Sequence, residues 1–250
     1  MWFDSHCHLF DLDDPEAAAV RARAAGVGGA LICGTDAATS ARAAELAERT
    51  GWWAAAGIHP TAMKGWDDAW LDELMPLLDH PRVVAVGETG IDLYRDRSFF
   101  ADQLVGFATH VRAAKERDLA LVIHTRNSVG EALELLERES PPDRLVFHCW
   151  SGDLSQLKRA LGLGAFVSFA GNVSYKSADA LRAAAAAVPA SRLLVETDSP
   201  YLAPEPRRGR PNEPAFLVHV GETVARARGE EVEAVAEVTA ANARALLGLP

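Results

Sequence analysis

Apolar residues along this chain follow two rhythms. Short apolar runs lie near residues 2–8, 27–33, 52–58, 83–88, 119–124, 144–149, 165–170 and 192–197, separated by longer stretches rich in Ala, Leu, Glu and Arg. The runs have the length of strands, and the stretches between them have helical period. In segment 98–117, Phe100, Leu104, Phe107, Val111 and Ala114 recur at spacings of three and four and leave Asp102, Arg112, Lys115 and Glu116 outside. That pattern predicts a helix with one face on a sheet. Runs such as ALVI and RLLV are continuously apolar, as parallel strands covered on both faces require. Eight strand–helix units in succession predict a (β/α)8 TIM barrel. Further helices are expected at about 214–227 and 231–247, after a Pro- and Arg-rich stretch of low order from Ala203 to Pro214.

Alternation along each strand then sorts the chemistry, because residues two apart share a face. His6 and His8 point the same way, with Asp4 one layer deeper and Cys7 turned toward the helices. The same count aligns Val84, Val86 and Glu88; Val122, His124 and Arg126; Val146, His148 and Trp150; and Leu194, Glu196 and Asp198. In each case the inward positions turn from apolar to polar at the strand's downstream end, where barrel active sites are built. Lone histidines at strand ends are usually hydrogen-bonded structural residues. Several in register beside Glu88 and Asp198 are different, since two neighbouring buried carboxylates repel and are desolvated unless a cation compensates them. Imidazole and carboxylate without thiolate suit zinc, manganese, magnesium or a similar divalent ion. Six donors, His6, His8, Glu88, His124, His148 and Asp198, exceed one open tetrahedral site and predict two ions with Glu88 as bridge.

Composition narrows the setting. A chain of 250 residues, 49% hydrophobic, matches one barrel domain spanning residues 1–250. No run approaches the roughly 20 apolar residues of a membrane span, and the start MWFDSHCHLF lacks the order of a secretion signal. The expected compartment is the cytoplasm. Cys7, Cys33 and Cys149 are odd in number and form no Cys-x-x-Cys pair, so they are expected to be reduced structural residues. A formal net charge of −10 excludes a broad basic surface, so a polyanion would have to be gripped locally. Arg207, Arg208 and Arg210, clustered after the eighth strand, are candidates for that grip, as is Arg126 beyond His124.

The ordered segments Asp4-Ser-His-Cys-His8, Gly57-Ile-His-Pro60, Gly87-Glu-Thr-Gly-Ile-Asp92, His124-Thr-Arg126, His148-Cys-Trp-Ser-Gly152, Glu196-Thr-Asp-Ser-Pro-Tyr-Leu-Ala-Pro204 and Arg210-Pro-Asn-Glu-Pro214 resemble the signature of the TatD family of metal-dependent hydrolases, within the amidohydrolase-like superfamily. The resemblance runs from residue 4 to Asn242, with departures at Thr89, where an aliphatic residue is usual, and at His110, where Gln is common. It implies that His6, His8, Glu88 and Asp198 hold one ion and that Glu88, His124 and His148 hold the second. It also implies a deoxyribonuclease trimming DNA, single-stranded or from 3′ ends, without an obligate protein partner. Asp198 and Glu88 are then the catalytic candidates, Asp198 orienting or deprotonating the attacking water. His59, Arg126, Tyr201 and Arg210 are candidate substrate contacts; Trp150 and Tyr201 could also stack a base, whereas Trp66 and Trp70 are expected in the core. Asp4 and Glu196 would accept the second ring N–H of a ligating histidine, and Asp92 would order the loop after strand four. A two-metal barrel can also attack a carbonyl, so hydrolysis of a small amide, lactone or aminoacyl ester is the alternative activity, and a metal-binding barrel without turnover the third.

Overall fold

A computed structural model describes residues 1–250. Eight parallel strands lie in chain order: β1 (Trp2–Cys7), β2 (Val27–Cys33), β3 (Trp53–Ala56), β4 (Val83–Asp92), β5 (Ala120–Arg126), β6 (Leu145–Phe147), β7 (Phe166–Phe169) and β8 (Leu193–Val195). Helices α1 (Pro15–Ala24), α2 (Ala37–Thr50), α3 (Ala69–Leu78), α4 (Phe100–Glu116), α5 (Val129–Glu139), α6 (Leu154–Gly162) and α7 (Asp179–Ala187) fill the crossovers. After a single turn at Pro214–Phe216 come α8 (Leu217–Arg228) and α9 (Val232–Leu247). The architecture is the TIM barrel that the alternating pattern predicts. No helix is long and apolar enough to cross a membrane.

Strands β1 through β8 pair as successive parallel neighbours, and the seam between β8 and β1 closes through residues just past β8. The Asp198 N–H donates to the His6 carbonyl at 3.0 Å and the His8 N–H to the Ser199 carbonyl at 2.8 Å. Ser5 Oγ bonds Ser168 Oγ and the Val195 carbonyl. Inside the barrel, Phe3, Leu31, Ala55, Ala85, Val122, Val146, Phe166 and Leu194 form an apolar plug, on which α9 seats Ala243, Leu246 and Leu247. A larger core joins the outer strand faces to the helices. Burial of these faces, at about 25 cal/mol per Å² of apolar area, is what holds the strand ends in register.

Three strands depart from simple alternation. On β1, Phe3 joins the inner plug while Cys7, four residues on, joins the outer core, and the β1–β2 register slips between Asp4 and Cys7. On β4 the inward residue is Ala85, and Val86 belongs to the outer core, so the predicted inward trio Val84, Val86 and Glu88 is incorrect. Continued alternation would turn Glu88 outward. Instead the β4–β5 register slips between Val86 and Thr89, and Gly87 takes φ 137, a conformation open to glycine. A Cβ at Gly87 would also lie 2.6 Å from the Val122 carbonyl oxygen. That irregularity brings Glu88 into the mouth. On β6, which stops at Phe147, Cys149 has φ 44 and the chain turns over. Trp150 is consequently 1% exposed and packs edge-on against Phe147 at 5.7 Å, while Cys149 faces the barrel mouth. Trp150 is a core residue with no free face for a base.

Candidate metal centre

The downstream ends of the strands enclose an open cleft of about 780 Å³ whose lining includes His8, His59, Glu88, His124, His148 and Asp198. His6 sits beneath them, fully buried. Glu88 is the hub. Its Oε2 lies 3.3 Å from His6 Nε2 and 3.4 Å from His8 Nε2. Its Oε1 lies 2.8 Å from His124 Nδ1 and 2.9 Å from His148 Nε2. Asp198 Oδ1 completes the first group, 3.5 Å from His8 Nε2 and 3.8 Å from His6 Nε2. The six side chains that the sequence nominated as ligands therefore meet in one cluster.

The outer hydrogen bonds fix which ring nitrogen is free. His8 Nδ1–H donates to the Cys33 carbonyl at 2.8 Å, His148 Nδ1–H to Glu196 Oε1 at 3.2 Å, and His124 Nε2–H to Asp92 Oδ2 at 3.3 Å. Each turns the opposite nitrogen into the cluster, where it offers a lone pair to a cation that displaces its proton. His59 is the reverse case: its Nδ1 accepts the Thr61 N–H, so its proton sits on Nε2, 3.6 Å from Glu88 Oε1. Although His59, Glu88 and His124 are close enough to surround an ion, a protonated Nε2 makes His59 a donor and not a ligand. Asp92 therefore does more than order its loop, because it also orients His124. Asp4 does less than expected: it takes the His6 and Thr197 backbone N–H groups and the Thr197 hydroxyl, strapping β1 to the segment after β8. His6 Nδ1 is left without a partner.

Electrostatics bind the cluster together. Burial opposes ionisation of Glu88, yet the facing imidazoles of His148, His6 and His59 and the hydrogen bond from His124 hold it well below the usual carboxylate range. Burial alone would depress His8, but the Asp198 hydrogen bond and the Glu88 charge raise it to about 9. His148 is likewise held above its ordinary value against burial by Glu88 and Glu196. His59 is driven down to about 3 by burial and by neighbouring His124. Burial lifts Asp4 to about 8.

Donor geometry fits a divalent ion. In each group two ring nitrogens face one another, His6 and His8 at 3.3 Å and His124 and His148 at 3.2 Å. Those separations are near the roughly 3.3 Å between donors of a tetrahedral ion with metal–nitrogen bonds of about 2.0–2.1 Å. Glu88 Oε2 is buried and accepts no hydrogen bond, as expected of a carboxylate oxygen reserved for a cation.

The remaining nominated contacts divide. Tyr201 lines the cleft, 55% exposed, its ring 5.9 Å from that of His8. Arg126 lines it too, with its guanidinium 3.9 Å above the Tyr94 ring. Arg210 is solvent-exposed and does not form part of the cleft wall. The motif it begins serves the site through Asn212, whose amide donates to the Thr197 and Tyr201 carbonyls at 2.7 Å and fixes the loop carrying Asp198. Arg207 lies over Phe216 and Arg208 over Tyr175. Trp66 and Trp70 pack against the outer core as expected. Sequence reasoning missed Asp36, Arg95 and Asn172, which also line the cleft from loops without a recognisable spacing. It also missed the role of His110, which accepts the Ile58 N–H at 3.1 Å and donates to the Gly106 carbonyl at 2.7 Å, anchoring the backbone beside His59.

A parallel barrel whose mouth gathers four imidazoles and several carboxylates around open space is the framework of a metal-dependent hydrolase. The model of TatD-related DNases matches residues 3–248, and the chain belongs to that family. It is 38% identical to the uncharacterized metal-dependent hydrolase TatD of Mycobacterium tuberculosis, covering 98% of this chain and 97% of that one. It is also 38% identical to the 3′-5′ ssDNA/RNA exonuclease TatD of Klebsiella pneumoniae, over 96% and 94% of the respective chains. The crystal structure of YjjV, a TatD homologue from Escherichia coli K12, superposes with a TM-score of 0.93 at 33% identity, covering 100% of this chain and 98% of the other.

Proposed function

We propose that this protein is a nuclease that hydrolyses DNA phosphodiester bonds from the 3′ end of single strands with two divalent ions. The observation that carries the reading is the division of Glu88: each of its oxygens faces a separate pair of imidazoles. His6, His8 and Asp198 would share the Oε2 side, and His124 and His148 the Oε1 side. Four imidazoles favour zinc or manganese over magnesium. When bound, such ions furnish a nucleophile near neutral pH and offset charge on the attacking and leaving oxygens.

The chain's own groups supply the remainder. Asp198, at the edge of the cluster, orients the attacking water and takes its proton. His59 donates from Nε2 to a non-bridging phosphoryl oxygen, a direction its Thr61 contact enforces. Tyr201 and Arg126 flank the strand, and Arg126 and Arg95 favour an anionic diester over the neutral amide, lactone or aminoacyl ester of the alternative activity. The name of the Klebsiella relative supports the nucleic-acid substrate. Three unpaired cysteines fit the reducing cytoplasm as its compartment. The test is cleavage of 3′-labelled single-stranded DNA by metal-loaded protein beside His124→Ala. Metal-dependent shortening that falls at least a hundredfold in the variant is expected; no cleavage by the wild type, or equal cleavage by both, overturns the reading.

A further inference from the structure

Tyr94 is the most exposed aromatic residue, at 60%, yet one face of its ring is covered by a charged group. The Arg126 guanidinium carbon sits 3.9 Å from the ring centroid, in a protein whose net charge is −10. Some arginines take carboxylate partners, as Arg21 does with Glu213 and Arg159 with Glu137, and others lie over aromatic rings away from the cleft, as Arg82 does over Trp53. The Arg126 side chain forms no ion pair or hydrogen bond, and the carboxylate nearest along the ladder, Asp92, is committed to His124 and to the Tyr94 N–H.

The backbone beneath this stack is pinned on both strands. The Leu93 N–H donates to the Arg126 carbonyl at 2.9 Å, and the Arg126 N–H donates to Ser128 Oγ, which in turn bonds the Ile91 carbonyl. Tyr94 and Arg126 are thus presented as one preorganised surface. An exposed cation–aromatic contact contributes little to a fold, and here it leaves the guanidinium donors of Arg126 unspent at the rim of the cleft. A guanidinium plane and an aromatic ring are, however, the two groups on which unstacked nucleobases lie. Arg126 follows His124 by two residues on β5, about 6.6 Å along the strand, so a phosphate at the cluster brings its own nucleoside to this surface.

We propose that Tyr94 and Arg126 form a base-stacking subsite that holds the nucleobase flanking the scissile phosphate, on any of the four bases and without reading sequence. The proposal rests on the nuclease reading above. It revises the expected role of Arg126 from a forked phosphate clamp to a stacked plane, and it ties base binding to the metal cluster through Asp92, which touches both His124 and Tyr94.

The experiment measures initial rates of the metal-loaded enzyme on a single-stranded oligonucleotide and on the same strand with an abasic residue beside the scissile bond. Stacking of one base is worth about 1–3 kcal/mol, so Tyr94→Ala should raise KM roughly tenfold on the intact strand, and Tyr94→Phe should leave it unchanged. Arg126→Lys, which keeps the charge but loses the plane, should behave like Tyr94→Ala. On the abasic strand the wild type should show the same tenfold increase and Tyr94→Ala nothing more. Unchanged KM in Tyr94→Ala, full retention by Arg126→Lys, or multiplication of the variant and abasic effects overturns the subsite while leaving the nuclease reading intact. Failure of the wild type to cleave either strand overturns the nuclease reading and the subsite with it.

Discussion

Glu88 owes its reach to one neighbour, Gly87, and its charge to its surroundings. A buried carboxylate is ordinarily driven toward its protonated form, but Glu88 faces imidazoles on both oxygens and stays ionised. The histidines around it are in turn aimed by groups one step farther out, and Glu196 is the most buried of these, accepting from both the His148 ring and the Cys149 N–H. Partners of this kind are worth about 10–100-fold in metal affinity. Glu196→Gln keeps the shape and removes the charge, so zinc affinity measured by chelator competition should fall about tenfold. An unchanged dissociation constant would mean that Glu196 serves only to hold the Cys149 backbone.

Helix α4 contributes His110 to the end of β3, and this contact makes stability depend on pH. His110 is fully buried, and burial lowers its pKa to about 4 from 6.5. Between those values the unfolded chain binds a proton that the folded chain refuses, so acid favours unfolding. The contribution is complete above about pH 6.5 and is lost as pH falls toward 4, at up to about 1.4 kcal/mol per pH unit. A glutamine can replace both hydrogen bonds without titrating. Urea unfolding of metal-free protein across this range should therefore show a shallower loss for His110→Gln than for the wild type; parallel curves would refute the assignment. The same helix positions Gln103, whose amide oxygen accepts the Asp92 N–H at 2.8 Å, so one crossover element braces both β3 and β4 at the mouth.

For the molecule as a whole, the cluster sits where eight strands and the β1–β8 seam converge, and an ion there ties together β1, β4, β5, β6 and the segment after β8. Zinc at a hundred times its dissociation constant should add about 2.7 kcal/mol. For a chain of this size that is roughly 5–10 °C in Tm. Calorimetry with zinc and then with excess chelator checks this, and a Tm indifferent to metal would remove the cluster as a binding site. The barrel was legible in the sequence because parallel strands covered on both faces leave an unbroken apolar signature repeated eight times. The four histidines of the cluster were legible because His6 and His8 stand two residues apart and His124 and His148 stand two residues beyond the inward Val122 and Val146. Where the backbone leaves the extended conformation, that arithmetic stops. Gly87 turns Glu88 inward against the alternation, Cys149 sends Trp150 into the core, and the 203–214 loop leaves Arg210 out of the cleft wall. Fold and donor chemistry can be read from the chain alone, since both follow from local periodicity. Which nitrogen of His8, His124 and His148 faces the cluster, and that Arg126 lies on Tyr94, emerge only in the folded barrel, because they depend on partners brought from distant segments as it closes.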